Sequence, residues 1–245
     1  MHLIADFGNT TLKYFLFDKR KDSIVSGTFH PKIWKTEVAN LISNYPINAI
    51  LFSDVRGIAQ GIGAADFQGV PVFHTTAKLH LPFTTAYHPP EQLGADRIGL
   101  LAAACVAYPK TAVLIIDAGS CITFDYMDAQ AHHHGGAITL GLKMRYRSLH
   151  EHTGKLPLLP IKKVDEITGT STAQAIHAGI FLGVVSEIQA QIDAYKQKTS
   201  DLTIILTGGD APRLLKQLKN TIFASSNFLA EGLNYILEIN KNLSP

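Results

Sequence analysis

Two short stretches of the sequence pair a carboxylate with a glycine turn, and about half of the 245-residue chain separates them. Residues 6–10 read Asp-Phe-Gly-Asn-Thr, and residues 117–120 read Asp-Ala-Gly-Ser. A turn that contains glycine can point successive backbone N–H groups at one spot and so bind an anion such as phosphate. Because a carboxylate repels phosphate, we expect Asp6 and Asp117 each to act through a metal ion or its waters.

Each stretch also has a simpler interpretation, since Asp-x-Gly-Asn is by itself a good tight hairpin turn. The second copy, at a matching strand end, favours phosphate binding. We therefore expect the two turns to face each other across a cleft and to hold the phosphates of a nucleotide jointly.

A pair of glycines, Gly208 and Gly209, directly follows an apolar run and precedes a helix start. The missing side chains would let a flat nucleotide ring approach the backbone closely. The alternative is a plain turn, in which Asp210 caps the helix that Pro212 helps to start. This motif alone leaves both alternatives open.

Asp96 and Arg97 end a loop punctuated by proline and glycine, and an alanine-rich helix is predicted from Arg97 to Tyr108. In one interpretation Asp96 is the helix N-cap and Arg97 is a solvated surface charge. In the other, Asp96 accepts a proton from a substrate hydroxyl. An ordinary aspartate, with a pKa of about 3.9, is a weak base. Phosphoryl transfer tolerates a weak base because its transition state is loose and depends mainly on positioning and charge neutralisation.

Composition excludes several classes of protein. The chain is 46% hydrophobic and 17% charged, enough to bury a sizeable core. Its net charge is only +2 and its basic residues are spread out, so nucleic acid is not expected as a partner. Cys105 and Cys121 lie in apolar stretches, which favours a reducing, cytoplasmic location. The richest apolar stretch considered, 98–107, is too short to cross a membrane, and the N-terminus reads as a strand.

The hydrophobic pattern predicts an α/β protein. Strands are predicted at 2–5, 11–17, 24–29, 49–55, 71–73 and 202–207, and helices at 36–43, 97–108, 172–196 and 227–240. The strand at 49–55 should deliver Ser53 and Asp54 to its C-terminal edge. The order strand, Asp turn, strand begins again at Thr111, which favours a duplicated domain, with one copy over 1–109 and the other over 110–245.

Several other features have plainer interpretations. Three adjacent histidines, 132–134, cannot all face one metal ion, so a polar loop is favoured over a transition-metal site. Trp34 is predicted to lie in the core. Gly179 and Gly183 lie four apart on the long helix and suggest close helix packing, either at a dimer interface or within the chain.

Taken together, these motifs closely resemble the type III pantothenate kinases, in family order from the first strand to the last helix. The matching segments are Asp6-x-Gly8-Asn9-Thr10, Leu-Gly-Ala-Asp-Arg at 93–97, Asp-Ala-Gly-Ser-Cys-Ile-Thr-Phe-Asp at 117–125, Gly-Gly-Ala-Ile-Thr-Leu-Gly at 135–141, the helix start at Thr172 and Glu-Gly-Leu-Asn at 231–234. The resemblance implies two duplicated ribonuclease-H-like domains with mixed sheets flanked by helices, as in actin, hexokinase and Hsp70. It also implies ATP-dependent phosphorylation of pantothenate, the first step of coenzyme A biosynthesis, by a homodimer that needs magnesium and a monovalent cation, potassium or ammonium.

The resemblance also implies roles for individual residues. The ATP phosphates would be held by Asp6, Phe7, Gly8, Asn9, Thr10, Thr11, Leu12 and Lys13, with Asp6 binding magnesium through water and Ser120 adding a further ATP contact. Asp96 would be the proton acceptor and Asp117 the potassium ligand. The pantothenate pocket would be lined by Tyr87, Gly94, Ala95, Asp96, Arg97 and, close to the dimer interface, Thr172.

The sequence departs from the family pattern at two places. Ser120-Cys121 stands where the family usually has Thr-Ala, which keeps the hydroxyl. Leu140 replaces a usual proline before Gly141, which leaves the path of that loop open.

Two other functions compete with this interpretation. Another enzyme of the same superfamily, such as a sugar kinase or a phosphatase acting on polyphosphate, would share the phosphate turns but not the substrate-side segment 87–97. A non-enzymatic ATP-binding or regulatory protein, a role once attached to relatives described as accessory transcription factors, would not need both Asp6 and Asp96. The lack of a basic patch also argues against DNA contact.

Overall fold

The computed structural model of the chain describes residues 1–18, 20, 22–218, 222, 223, 225 and 227–243. The chain divides into two compact units. The first unit comprises Met1–Lys110, Ala131–His133 and Asn227–Pro245, and the second comprises Thr111–Gln130 and His134–Ser226. The predicted domains, 1–109 and 110–245, were duplicated halves of the sequence. Whether these halves are duplicates stays a prediction, because the compact units divide the chain on a different basis.

The described part of the first unit contains a five-stranded sheet with the order β3-β2-β1-β4-β5. Its strands are β1 (His2–Phe7), β2 (Leu12–Phe17), β3 (Ser23–Phe29), β4 (Ala49–Asp54) and β5 (Val72–His74). The first two strands pair antiparallel through the hairpin that the sequence predicted, whereas β1 and β4 run parallel. A short strand, β6 (Thr84–Thr85), pairs parallel with His132 and His133. Because Asp6 and Ser53 are register partners, both lie at the C-terminal edge of the parallel strands.

Helices cover both faces of the first sheet. They are α1 (Trp34–Asn44), α2 (Ala95–Ala107) and α7 (Phe228–Asn240). Side chains alternate along β1, so Leu3 packs in the cluster that contains Trp34 of α1, and Ile4 packs with Leu233 of α7. The burial of Trp34, which is 5% exposed, confirms its predicted place in the core.

The second unit is built around a sheet in which the described strands have the order β11-β10-β7-β8-β9. Its elements are β7 (Ala112–Ala118), β8 (Cys121–Met127), β9 (His132–Leu140, whose first two residues belong to the first unit), α3 (Leu142–Glu151), α4 (Thr172–His177), a π-helical turn (Ala178–Leu182), α5 (Gly183–Lys198), β10 (Leu202–Thr207), α6 (Ala211–Leu214) and β11 (Ile222–Phe223). The predicted apolar face of the long helix is buried in one cluster, comprising Ile176, Ile180, Val184, Ile188 and Ile192.

Several local predictions were wrong. Helix α2 begins at Ala95 with Gly94 as its N-cap, so Asp96 lies inside the first turn and is not the cap. The three histidines at 132–134 begin strand β9 instead of forming a polar loop, because the pairing with β6 extends the strand. A Cβ on Gly179 or Gly183 would meet no described atom within 4 Å, which contradicts close packing of these glycines within the chain.

The continuous helical stretch Thr172–Lys198 is long and apolar enough, by length and composition alone, to cross a membrane. This finding corrects the expectation that 98–107 is the richest apolar stretch of the chain. The buried face of this helix packs in the core of the second unit, as a core helix of a folded domain does. Cys105 and Cys121 are free thiols and are partly buried.

Candidate active site

A buried carboxylate lies at the C-terminal edge of the first sheet. Asp6 is 9% exposed, and the hydroxyl of Ser53, its register partner on β4, donates a hydrogen bond to Asp6 Oδ1 at 3.2 Å. In open α/β sheets the carboxyl ends of parallel strands are the usual place for a ligand crevice. The sequence placed Ser53 at this edge but assigned it no role in the site.

The surroundings of Asp6 raise its pKa from the ordinary value of 3.8 to about 6. Burial is the main cause, and the negative charge of Asp96 acts in the same direction. The hydrogen bond from Ser53 and the positive charge of Lys13 oppose the shift. Burial and a nearby like charge both disfavour an ionised carboxylate, and a bound cation would relieve both effects.

The turn that follows Asp6 presents backbone and short polar side chains to solvent. The backbone N–H of Gly8 donates to the carbonyl of Thr11 at 3.1 Å, and residues 9–11 are exposed. Phe7 and Leu12, which flank the turn, are buried in the core, so only their backbone groups could face a phosphate.

The start of α2 brings together the residues predicted to bind the acceptor substrate. Arg97 is 4% exposed; its Nη1 donates to the phenolic oxygen of Tyr87 at 2.6 Å, and its guanidinium lies 5.0 Å from the centroid of the same ring. Asp96 Oδ1 accepts a hydrogen bond from the backbone N–H of Arg97 at 2.8 Å. A Cβ on Gly94 would lie 2.7 Å from that Oδ1, so glycine leaves room for the carboxylate. Ala95 is buried beside them.

In the second unit, glycine turns lie close to Asp117 at the end of β7. A Cβ on Gly208, which has a φ of +94°, would collide with the carboxylate of Asp117. A Cβ on Gly141 would collide with the carbonyl oxygens of Gly119 and Ser120, and the N–H of Gly141 donates to Ser120 at 3.1 Å. Glycine at these positions therefore lets the turns approach each other, and the loop around Gly141 is tied to the Ser120 turn despite the missing proline.

The Gly208 turn leads into helix α6. Asp210 stands at the N-cap position, as one of the two sequence interpretations predicted, but its side chain makes no capping hydrogen bond; its backbone N–H donates to the carbonyl of Ala118 at 2.9 Å. Its carboxylate accepts a hydrogen bond from Arg213 Nη1 at 2.6 Å. Burial raises the pKa of Asp210, and Arg213 opposes that shift. The turn is thereby fixed to the end of β7.

Thr172, the remaining predicted substrate contact, is exposed at the first position of α4 in the second unit. Its neighbour Ser171 is the N-cap and accepts a hydrogen bond from the backbone N–H of Gln174 at 3.3 Å. Asp6 and Asp96 belong to the first unit, and Asp117 and Ser120 to the second. The predicted meeting of the two Asp turns across a cleft stays a prediction.

Among the described residues, no group of three or more His, Cys, Asp and Glu side chains could hold a metal ion. Mg²⁺ does not require such a cage, because it usually binds through one or two carboxylates together with substrate phosphates and water. Asp6, with its raised pKa, fits that role.

In the second unit, Thr123 is the register partner of Asp117, and its buried Oγ1 has no hydrogen-bond partner within the described part of the chain. A hydroxyl oxygen of this kind fits a site for a hard cation.

Comparison with known proteins gives a consistent result. A family model described as type III pantothenate kinase matches residues 2–194. A type III pantothenate kinase from Christiangramia forsetii is 41% identical over 242 residues, which cover 98% of this chain and 99% of that protein. Among solved structures, a proposed N-acetylmannosamine kinase from Listeria monocytogenes has a TM-score of 0.61 at 15% identity, covering 98% of this chain and 99% of the other.

A second solved structure, a proposed Baf family transcriptional activator from Campylobacter jejuni, has a TM-score of 0.60 at 21% identity and covers 98% of this chain and all of the other. At these identities the two structural matches show the fold alone. Mixed sheets flanked by helices, in a fold shared with the Listeria monocytogenes kinase, confirm the predicted α/β fold class.

Proposed function

This chain belongs to the type III pantothenate kinase family, and we propose that its chemical centre is the pair Asp6 and Asp96 in the first unit. The activity is the ATP-dependent phosphorylation of pantothenate to 4'-phosphopantothenate, the first step of coenzyme A biosynthesis. The observation that carries the proposal is the placement of two carboxylates in one unit, Asp6 buried at the C-terminal edge of the sheet and Asp96 in the first turn of α2.

Asp6 serves the nucleotide. Bound magnesium would neutralise charge on the ATP phosphates, and Asp6 would hold that ion through water. The exposed backbone and hydroxyl groups of residues 9–11 receive the phosphates, and Lys13, the register partner of Asp6, adds positive charge beside them. Without a cation the carboxylate and the phosphates would repel each other.

Asp96 serves the acceptor. It orients the primary hydroxyl of pantothenate and takes its proton as the oxygen attacks the γ-phosphorus, whose bond to the β,γ-bridging oxygen breaks so that ADP leaves. Arg97 and Tyr87 bind the acidic end of the substrate, since a guanidinium can make paired, charge-assisted hydrogen bonds to a carboxylate. Gly94 and Ala95 complete that side of the pocket, and Thr172 contributes a further contact near the dimer interface.

The second unit supplies a site for potassium or ammonium at Asp117 and an ATP contact at Ser120. Two observations support this assignment: glycine turns lie against the carboxylate of Asp117, and the buried hydroxyl of Thr123 lacks a partner among the described residues. A monovalent cation bound here would offset the charge of Asp117 near the nucleotide.

The protein works as a cytoplasmic homodimer that joins through the second unit. A groove of about 340 Å³ lies on that unit, and its lining includes Leu140, Arg145, Leu149, Ile176, Gly179 and Ile180. Leu140 in this lining and Ile138, two residues earlier on β9, are 43% and 60% exposed. Such apolar exposure, together with glycines that leave open space on the helix, fits contact with a second copy.

Light scattering tests this interface. Gly179→Arg should yield monomers, whereas the control Gly154→Arg should stay dimeric. A dimeric Gly179→Arg variant would contradict this interface.

The activity is tested by ADP release with pantothenate, compared with a panel of sugars and other small hydroxy acids. We expect release with pantothenate and little with the panel. Release with a sugar instead would favour the sugar-kinase alternative. A gel-shift assay at physiological salt, in which we expect no DNA binding, separates the enzyme from a transcriptional regulator.

A further inference from the structure

One of the three adjacent histidines is fully buried in the first unit and is not used by the proposed chemistry. His133 is 0% exposed, at the second position of β9. Its backbone carbonyl accepts a hydrogen bond from the N–H of Ala86 at 2.8 Å, which ties it to the segment that carries Tyr87. A buried polar ring has to be matched to specific partners, because an unsatisfied one would destabilise the fold.

The hydroxyl of Thr85 links His133 to the backbone of Tyr87. Thr85 Oγ1 lies 2.9 Å from His133 Nδ1, and it also accepts a hydrogen bond from the backbone N–H of Tyr87 at 3.1 Å. One hydroxyl can make both bonds, since it has one proton and two lone pairs. The position of the Tyr87 backbone is therefore coupled to the imidazole.

The rings are coupled as well. The imidazole of His133 stacks on the phenol of Tyr87, with centroids 5.7 Å apart and planes inclined by 20°. The ring of Phe83 packs against the imidazole edge to face, with centroids 6.5 Å apart and planes inclined by 85°. On the far side of this arrangement, the Tyr87 hydroxyl accepts the 2.6 Å hydrogen bond from Arg97. The chain of contacts therefore runs from Thr85 and His133 through Tyr87 to the guanidinium of Arg97.

We infer that His133 is a positioning residue for the acceptor substrate: it fixes the Tyr87 ring, which in turn fixes the guanidinium that receives the acidic end of the substrate. This inference rests on the proposed role of Tyr87 and Arg97. His133 does not touch the reacting atoms. Its loss should loosen the acceptor pocket and leave the nucleotide side, built on β1 and β4, unchanged.

Two variants separate the stacking of the imidazole on Tyr87 from its hydrogen bond with Thr85. His133→Asn keeps a side-chain group able to bond Thr85 but removes the stacked ring, and His133→Phe keeps a flat ring but removes the hydrogen bond. Since misplacement by about 1 Å can cost about 10²-fold, we expect KM for pantothenate to rise roughly 10- to 100-fold in His133→Asn. We expect KM for ATP to change little, and His133→Phe to fall between that variant and the wild type.

The neighbouring histidine is a matched control. His132 makes the equivalent bond to Thr84, with Oγ1 and Nδ1 2.7 Å apart, but its side chain is only partly buried and points to the other face of the strand. His132→Asn should leave both KM values unchanged. Combining His133→Asn with Arg97→Lys should raise KM for pantothenate by less than the product of the two single effects, because both act on the same guanidinium position.

If His133→Asn does not fold, Thr85→Val decides the question, because it removes the linking hydroxyl with little change of shape and should also raise KM for pantothenate selectively. A folded variant with wild-type KM for pantothenate, or with KM for ATP raised equally, would overturn the inference. Wild-type protein that fails to phosphorylate pantothenate would instead overturn the proposed function on which it rests.

Discussion

The carboxylates of Asp6 and Asp96 lie near enough to each other in the first unit for the charge of Asp96 to raise the pKa of Asp6. Asp6 lies near the end of the buried strand β1, and Asp96 lies in the first turn of α2. Two neighbouring acids with different environments can divide the work of a reaction, one binding a cation and the other handling a proton. The predictions below test that division.

Replacing Asp96 should abolish most of the turnover without unfolding the protein. We expect Asp96→Asn to lower kcat roughly 10²- to 10⁴-fold, because the acceptor hydroxyl loses its proton acceptor. Its thermal melting curve should stay close to that of the wild type, since the amide can still accept the N–H of Arg97. Near-normal turnover would show that Asp96 is not the base.

Replacing Asp6 should stabilise the fold at neutral pH while it removes activity. The folded pKa of about 6 exceeds the ordinary 3.8, so the folded state holds the proton more tightly and wild-type stability falls as pH rises from about 4 to 6. The amide of Asp6→Asn does not ionise, so the stability of this variant does not fall over this pH range. We expect its free energy of unfolding to exceed that of the wild type by roughly 1–3 kcal/mol above pH 6, with the difference vanishing near pH 4.

Urea unfolding at both pH values measures this difference. Asp201→Asn is the control, because Asp201 is exposed and should show no pH-dependent gain. An Asp6→Asn variant that is no more stable than the wild type at pH 7 would mean that burial does not raise the pKa of Asp6.

The same titration should appear in catalysis. Magnesium requires ionised Asp6, so kcat/KM for ATP should fall as pH drops below about 6, the pKa of this group. In Asp96→Asn the like charge is gone, so the midpoint of this acid limb should move to lower pH, measured on the residual activity. An unmoved midpoint would contradict the coupling between the two carboxylates.

The activity should depend on which monovalent cation the buffer contains. We expect activity to be high in potassium or ammonium and to collapse in sodium alone, because Asp117 needs a fitting cation beside the nucleotide. Asp117→Asn should lose the response to potassium. Equal rates of the wild type in sodium and in potassium would contradict a potassium site at Asp117.

The packing of α2 against α7 predicts a stability effect far from the chemistry. A Cβ on Gly232 would collide with the carbonyl oxygen of Gly99 and approach the backbone N of Ala103 to 2.6 Å, and backbone atoms cannot move aside cheaply. Gly232→Ala should therefore lower the free energy of unfolding by about 1–3 kcal/mol. The control Gly154→Ala, in open space, should change it by less than about 0.5 kcal/mol in denaturant titrations.

Features encoded by local periodicity could be predicted from the sequence. The hairpin after Asp6 and the apolar face of the long helix depend on residue spacing alone, and the structure confirms both. Element ends differ by a few residues, as is usual where helices and strands fray. The π-helical turn at Ala178–Leu182 left no signal in that periodicity.

Features that depend on distant partners could not be predicted. The sequence around His133 is polar and reads as a loop, but its pairing with β8 and with Thr84–Thr85 makes it a strand in which the side chain of His133 is buried. The raised pKa of Asp6 likewise depends on burial and on a helix start much later in the chain. The start of the helix, predicted at Arg97, was placed too late, because Gly94, with an extended backbone, is the N-cap and Ala95 begins the helix.

The most direct test of the central claim is the affinity for MgATP, measured by calorimetric titration of the Asp6→Asn and Asp96→Asn variants side by side. The account predicts that Asp96→Asn binds MgATP about as tightly as the wild type although it hardly turns over, and that Asp6→Asn binds it far more weakly. Tight binding by Asp6→Asn would contradict the assignment of Asp6 to the nucleotide and with it the division of work between the two carboxylates.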